Sequence, residues 1–359
     1  MPRAKHDPIR VVVVDDSPTV RELLVAILQA SVGIQVVGVG STGEDAVRLT
    51  RRLRPDVVTM DVVMPKMDGL EATQHIMREV PTPIVIVTGS LMWADEDLTF
   101  RALQAGALTV VATPGLADPE TCDKVVQTVR LMSEVAVVHR WGKRGPIPLD
   151  APATLQAPDR LGGGQNVQIV GIASSTGGPA ALSVILKQLP ADFPWPVLVV
   201  QHVTNGFTTG LAKWLNGETP LRVVVASHGD VPGPGTVWLA PDDYHLKING
   251  RGVLELSKES PYKSLRPSAN YLFHSLARAY GPRALGIVLT GMGDDGVEGL
   301  EALHQAGGVV VAQDKRSCVV YGMPREAVIR NIVDQVLSLN QIGTALGQLA
   351  QRQGKGGIK

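Results

Sequence analysis

Residues 167–186 read VQIVGIASSTGGPAALSVIL: an apolar β-branched run, a turn of small residues, then an apolar helix-like segment. Such a run suits a strand buried on both faces, as in a parallel sheet covered by helices. The pattern recurs downstream. PVLVVQH (196–202), TVWLAP (236–241), ALGIVLTG (284–291) and GVVVAQD (308–314) read as further strands, with helix-like segments between them. HLKINGRGVLEL (245–256) departs from it, because Asn249-Gly250 is a turn pair for an antiparallel hairpin. This half is expected to be α/β, with a mainly parallel sheet.

Upstream, the same alternation appears five times. IRVVVVD (9–15), IQVVGVG (34–40), DVVTMD (56–61), PIVIVTG (83–89) and ALTVVAT (107–113) read as strands, and segments such as VRELLVAILQA and GEDAVRLTRRLR read as helices. A last helix is expected over 122–139. Five such units make one open, doubly wound domain. Between the halves, residues 140–165 lose all periodicity and are rich in Pro, Gly and small polar residues, the composition of a linker. The expected organisation is therefore a domain over 1–139, a linker over 140–165 and a second domain over 166–359, whose tail GQLAQRQGKGGIK is expected to fray.

With 44% hydrophobic and 19% charged residues, the 359-residue chain can bury a core in each half, which excludes a disordered class. Lys plus Arg equals Asp plus Glu, 34 each, so no electrostatic argument favours nucleic acid or a membrane surface as partner. Cys122 and Cys318 lie far apart without metal-ligand spacing. A disulfide framework is not expected, which fits a reducing, cytoplasmic location. No signal peptide or membrane span is visible, so direct membrane insertion is not expected.

Ser175 follows the strand of 167–173 and precedes Thr176-Gly177-Gly178 and a helix. A serine on such a turn can meet a substrate carbonyl, and the helix start offers N–H groups to an oxyanion. It needs a base and a group that orients the base. His202 ends the next strand, and Asp295, in GMGDDG, follows the strand of 284–291. In a parallel sheet these strand ends share one edge, where active sites form. Other readings stand beside this one: a Gly-rich turn can hold a phosphate, His202 can be a structural hydrogen-bonder, and Asp294 and Asp295 can cap a helix at Gly296.

GIASSTGGPAAL, VVQHVTNGFT, VWLAPDDYHL, RPSANYLFHSLA, GIVLTGMGDDGVEGL and AQDKRSCVVYGMPREA together resemble the chemotaxis protein-glutamate methylesterases, the CheB family, over about 167–348. The resemblance implies Ser175 as nucleophile, His202 as base and Asp295 as its orienting carboxylate. It places Thr176, Gly177 and Met292, and more weakly Arg266, along the active site. The implied reaction is hydrolysis of γ-glutamyl methyl esters on methylated chemoreceptors, with deamidation of receptor glutamines as a companion activity and no cofactor for the esterase. Asn270 stands where the family carries an acid, which touches on substrate preference.

In the first half, Asp15 and Asp16 end the first strand and Asp61 ends the third. Neighbouring strand ends would gather three carboxylates suited to Mg²⁺, one of them free to accept a phosphoryl group. Helix capping and turn formation would also use these residues. VVDDS and DVVMPKMDG, in this order, resemble a response-regulator receiver domain over about 9–138. That implies Asp61 as phosphoacceptor, Asp15 and Asp16 as metal ligands with a main-chain carbonyl near Val63, Thr88 as the hydroxyl that senses the phosphoryl group, and a histidine kinase of the CheA type as phosphodonor. The resemblance fails at Thr113, where the family has a lysine, and at Val110, where it commonly has an aromatic; Lys66 or Lys124 could stand in for the lost charge. The chain thus reads as a (βα)5 receiver followed by a Rossmann-like methylesterase, with phosphorylation regulating the esterase. The competing reading is a signalling adaptor with a degenerate, phosphorylation-independent receiver. A nucleotide-binding oxidoreductase lacks its G-x-G-x-x-G spacing, and a DNA-binding regulator lacks the basic charge.

Overall fold

The computed structural model describes residues 7–89, 101–102, 105–115, 118–135, 167–203 and 206–356. The chain divides into two compact units, Met1–Pro148 and Leu149–Lys359. The expected linker lies outside the described residues.

The first unit holds five strands: β1 (Ile9–Val14), β2 (Ile34–Gly40), β3 (Val57–Met60), β4 (Ile84–Thr88) and β5 (Thr109–Ala112). They form one parallel sheet in the order β2-β1-β3-β4-β5. Helices α1 (Pro18–Ala30), α2 (Gly43–Leu53), α3 (Gly69–Glu79) and α4 (Pro119–Met132) flank it. Their starts are written in the sequence. Ser17, Thr42 and Asp68 accept hydrogen bonds from the N–H groups of Val20, Asp45 and Glu71, so each fills one of the donors a helix start leaves open. Val12, Val14, Val58, Met60, Ile84 and Ile86 from the strands pack with Ala46, Leu49, Ala72 and Ile76 from α2 and α3. Helix α4 starts earlier than the expected residue 122, because Asp118 caps it, and ends at Met132. Residues 136–140 lie outside the described segments.

The second unit carries β6 (Ile169–Ser174), β7 (Val197–Gln201), β8 (Arg222–Val225), β9 (Thr236–Leu239), the hairpin β10 (His245–Ile248) and β11 (Leu254–Ser257), β12 (Ala284–Val288), β13 (Val309–Gln313) and β14 (Gln335–Leu337). Seven of them form a parallel sheet in the order β14-β13-β12-β6-β7-β9-β8. The hairpin pairs antiparallel around Asn249-Gly250. Helices α5 (Gly178–Leu186), α6 (Thr208–Glu218), α7 (Ala269–Ala279), α8 (Val297–Gln305), α9 (Met323–Ile329) and α10 (Leu339–Gly356) complete the unit. Strands β8 and β14 were not anticipated; both are short and lie at the sheet's edges. The tail is also not frayed through Gly356. Ile342, Leu346 and Ala350, spaced by four, are buried, and one buried stripe anchors a helix.

From β6 the chain runs out to β7 on one side and later returns to β12 on the other. That reversal opens a crevice at the carboxyl ends of these three adjacent strands.

Candidate active site

Ser175 is the first residue after β6, His202 the first after β7, and Asp295 lies in the loop between β12 and α8. Three neighbouring strands thus deliver the three residues to one edge. The Ser175 backbone N–H donates to the Thr290 carbonyl (3.0 Å) and the His202 N–H to the Ser174 carbonyl (2.9 Å). Gln201 ties the turns together. Its Nε2 donates to the carbonyls of Ser175 (2.8 Å) and His202 (2.9 Å), and its Oε1 accepts from Ser174 Oγ (2.6 Å). No side chain fits at Gly178, whose Cβ would lie 1.9 Å from Gln201 Oε1. Gly177 has φ +78°, a left-handed conformation that glycine adopts freely. Gly291 presses on Ser175 from the other side: a Cβ there would come within 2.7 Å of Ser175 Cβ.

The His202 imidazole Nε2 hydrogen-bonds Asp295 Oδ2 at 2.8 Å. Asp295 is 1% exposed and also accepts from Ser268 Oγ (2.5 Å) and from the Ala269 N–H (2.7 Å). Burial alone would raise its pKa; the hydrogen bond and charge of His202, with the bonds from Ser268 and Ala269, override this and hold it below the usual carboxylate value. Asp295 is therefore a stable anion that fixes the imidazole by one nitrogen. Among the described residues no hydrogen bond joins Ser175 Oγ to the ring, so Nδ1 is the nitrogen left to serve the serine. Resting hydrogen bonds in catalytic sites are often looser than those in the substrate complex.

The competing readings fare differently. Helix α8 starts at Gly296 with no side-chain cap, so neither aspartate is spent on capping it. Asp294 instead pairs with Lys263 (2.6 Å) at the surface. A phosphate cradle at α5 is short of donors: the Gly178 N–H already bonds the Ser175 carbonyl, and Pro179 has none. Thr176 and Gly177 sit within the serine turn, and the Thr176 carbonyl accepts from Thr290 Oγ1. Met292, next to Gly291, is 46% exposed. Arg266 is turned elsewhere, with its guanidinium on Asp243 (2.9 and 2.5 Å). Asn270 is 3% exposed, and its Oδ1 accepts the Gly299 N–H, so this departure from the family joins α7 to α8. Gln201 and Ser268 went unread in the sequence; the signal was their place directly before His202 and in the RPS segment.

In the first unit, carboxylate oxygens of Asp15, Asp16 and Asp61 lie within 4.8 Å of one another. Burial, and then the charge of Asp15, push Asp61 up to about 7, against hydrogen bonds from the N–H groups of Val62 and Val63. Burial also raises Asp15 to about 6, against the Ser17 N–H and with Asp16 adding to the rise. Uncompensated negative charge on hard oxygen donors fits a divalent cation such as Mg²⁺. A Cβ on Gly69 would fall 2.0 Å from the Asp61 carbonyl oxygen, so the glycine of KMDG lets α3 close over this site. Thr88 is 2% exposed, and among the described residues its hydroxyl has no partner, as is also true of the hydroxyls of Thr50 and Thr59. Thr113 donates its backbone N–H to the Thr88 carbonyl, and Val110 packs against the core. Lys66 and Lys124 are exposed. Arg21, passed over in the sequence, donates to the carbonyls of Asp15 (2.7 Å) and Asp16 (3.1 Å).

Comparison with known proteins agrees with this division. Residues 11–121 match the response regulator receiver domain, and residues 170–346 match the CheB methylesterase family. The two together define a hydrolase that carries its own receiver. The chain belongs to the CheB methylesterase family. The protein-glutamate methylesterase/protein-glutamine glutaminase 4 of Myxococcus xanthus is 47% identical, over 99% of this chain and 100% of its own. The protein-glutamate methylesterase/protein-glutamine glutaminase of Nitrosospira multiformis is 46% identical, over 97% of this chain and 98% of its own. Among solved structures, the Thermotoga maritima CheB methylesterase catalytic domain is 38% identical with a TM-score of 0.50, covering 51% of this chain and 98% of that one.

Proposed function

We propose that this protein hydrolyses γ-glutamyl methyl esters on chemoreceptors and deamidates receptor glutamines, with Ser175 as nucleophile, His202 as base and Asp295 as its anchor. The observation that carries this reading is the 2.8 Å bond between His202 Nε2 and the buried Asp295 carboxylate, at the strand end beside Ser175. Ser175 Oγ attacks the ester carbonyl and passes its proton to His202 Nδ1. The oxyanion needs main-chain donors, and within the serine turn the N–H groups of Thr176 and Gly177 are not engaged among the described residues. His202 returns the proton to the departing methoxide, and methanol leaves. Water, deprotonated by the same imidazole, then frees the glutamate from Ser175. With a glutamine substrate, ammonia leaves instead. Thr176, Gly177 and Met292 line the cleft; Arg266 joins them only by releasing Asp243.

The receiver accepts a phosphoryl group on Asp61 from a histidine kinase of the CheA type, and the phosphorylated receiver raises esterase activity. Asp15, Asp16 and Asp61 would hold Mg²⁺, with a carbonyl near Val63, and the ion would neutralise phosphoryl charge. Thr88 offers the hydroxyl that senses it. The adaptor reading draws on Thr113, just after β5, and Val110, within it, which stand where the receiver family has a cation and an aromatic. Methanol release from a methylated receptor fragment decides the first claim: wild type releases it, and Ser175→Ala, equally folded, does not. Activity retained in Ser175→Ala contradicts the assignment. Labelling by a small-molecule phosphodonor decides the second. Wild type is labelled with Mg²⁺ and Asp61→Asn is not; an unlabelled wild type favours the adaptor reading for the receiver.

A further inference from the structure

Asp295 takes two of its three hydrogen bonds from one dipeptide, Ser268-Ala269, at the start of α7. What holds that dipeptide therefore sets the carboxylate, and through it the base. From one side the helix holds it: Ser268 caps α7, and its Oγ accepts the Asn270 N–H while donating to Asp295. From the other side there is His245, the first residue of β10. Its Nδ1 accepts the Ser268 N–H at 3.1 Å. Its Nε2 faces the Ser260 carbonyl at 3.2 Å, and its ring stacks on Tyr271 with centroids 3.7 Å apart. Tyr271 closes the clamp by donating its hydroxyl to the same carbonyl.

The hydrogen-bond directions leave one protonation state. Nδ1 must carry a lone pair to accept from Ser268, so Nε2 carries the hydrogen that Ser260 accepts. Residue 245 is fully buried, and burial, with Arg266 nearby, lowers its basicity against the opposing influence of Glu259 and the Ser260 and Glu259 carbonyls. A core histidine without another purpose needs only satisfied nitrogens. This one spends its lone pair on the backbone of the residue that aims Asp295.

We propose that His245 is a positioning residue for the esterase reaction: it fixes Ser268, which orients Asp295, which holds His202. The inference rests on the triad assigned above. It differs from a purely structural role in which kinetic quantity it moves. Misaim of Asp295 degrades proton transfer and leaves substrate binding alone, so kcat falls and KM does not.

The test uses the full chain, a methylated receptor fragment and methanol release. His245→Leu removes the acceptor and lowers kcat by roughly ten- to a hundred-fold with little change in KM. His245→Asn puts an amide oxygen where Nδ1 was and recovers most of kcat, whereas His245→Gln, whose oxygen reaches the Nε2 position, does not. In a Ser268→Ala background His245→Leu adds less than its full effect, because one of the two bonds it aims at Asp295 is already gone and only that from the Ala269 N–H remains. The proposal is overturned if folded His245→Leu keeps wild-type kcat, if its loss appears in KM, or if it adds in full to that of Ser268→Ala. Should the leucine variant not fold, the Asn and Gln pair decides: equal kcat in the two overturns it. No methanol from wild type would overturn the triad reading, and this inference with it; any of the other contrary results leaves that reading standing.

Discussion

Gln201 shows how much of the site is held by a residue that does no chemistry. It is buried, and its amide joins the carbonyls of Ser175 and His202 to the Ser174 hydroxyl. Gln201→Leu would leave that hydroxyl and the His202 carbonyl without this partner in the interior, while the Ser175 carbonyl keeps the Gly178 N–H. Orphaning buried polar groups costs about 1–3 kcal/mol each, so a loss of about 3 kcal/mol in stability is expected, with kcat down by about tenfold or more as the two turns drift apart. Thermal melting and methanol release on the same sample check both. At this scale the sequence was legible where chemistry announces itself. Ser175, His202 and Asp295 stood at strand ends as one reading among others, and the resemblance to the methylesterases singled them out. Gln201, Ser268 and His245 could not, because what they do consists of directed hydrogen bonds across 27, 27 and 23 residues of chain. Asn270 belongs with them: its Oδ1 accepts the Gly299 N–H of α8 across 29 residues of chain.

Strands carry both sites, and they do it by the same geometry. In the receiver, β1 and β3 are adjacent and parallel, so Asp15 and Asp61 emerge side by side. The fold gains nothing from ionising them together. In the folded state Asp61 holds its proton up to about 7 and Asp15 up to about 6, both above the ordinary 3.8 of the unfolded chain. The folded form therefore binds more protons across this window, and stability falls as pH rises from about 4 to about 7. Mg²⁺ should remove the penalty, so its stabilising effect is larger at pH 8 than at pH 5, and Asp61→Asn should flatten the pH dependence. Hydrogen exchange of β1 and β3 amides in the full chain, with and without Mg²⁺, measures this; stability that rises with pH without the ion would contradict it. Long Val/Ile runs made the central strands readable, while β8 and β14 stayed hidden. RVVV is four residues long and QVL three. Short edge strands are fixed by a neighbouring strand rather than by their own pattern. The last helix was misjudged because its polar surface outweighs the single stripe of Ile342, Leu346 and Ala350.

Across the whole molecule, one chain carries a unit built to gather carboxylates and another built to bring Ser175, His202 and Asp295 to one crevice. Among the described residues no helix is long and apolar enough to cross a membrane. The proposed reaction turns on a covalent bond between Ser175 and the glutamyl group. Rapid acid quenching of the full chain with a methylated receptor fragment, followed by proteolysis and mass spectrometry, tests it most directly. A receptor-derived glutamyl ester is expected on the peptide containing Ser175, absent from Ser175→Ala and formed far more slowly by His202→Gln. Sustained methanol release by Ser175→Ala, or a glutamyl adduct on another residue, would contradict it.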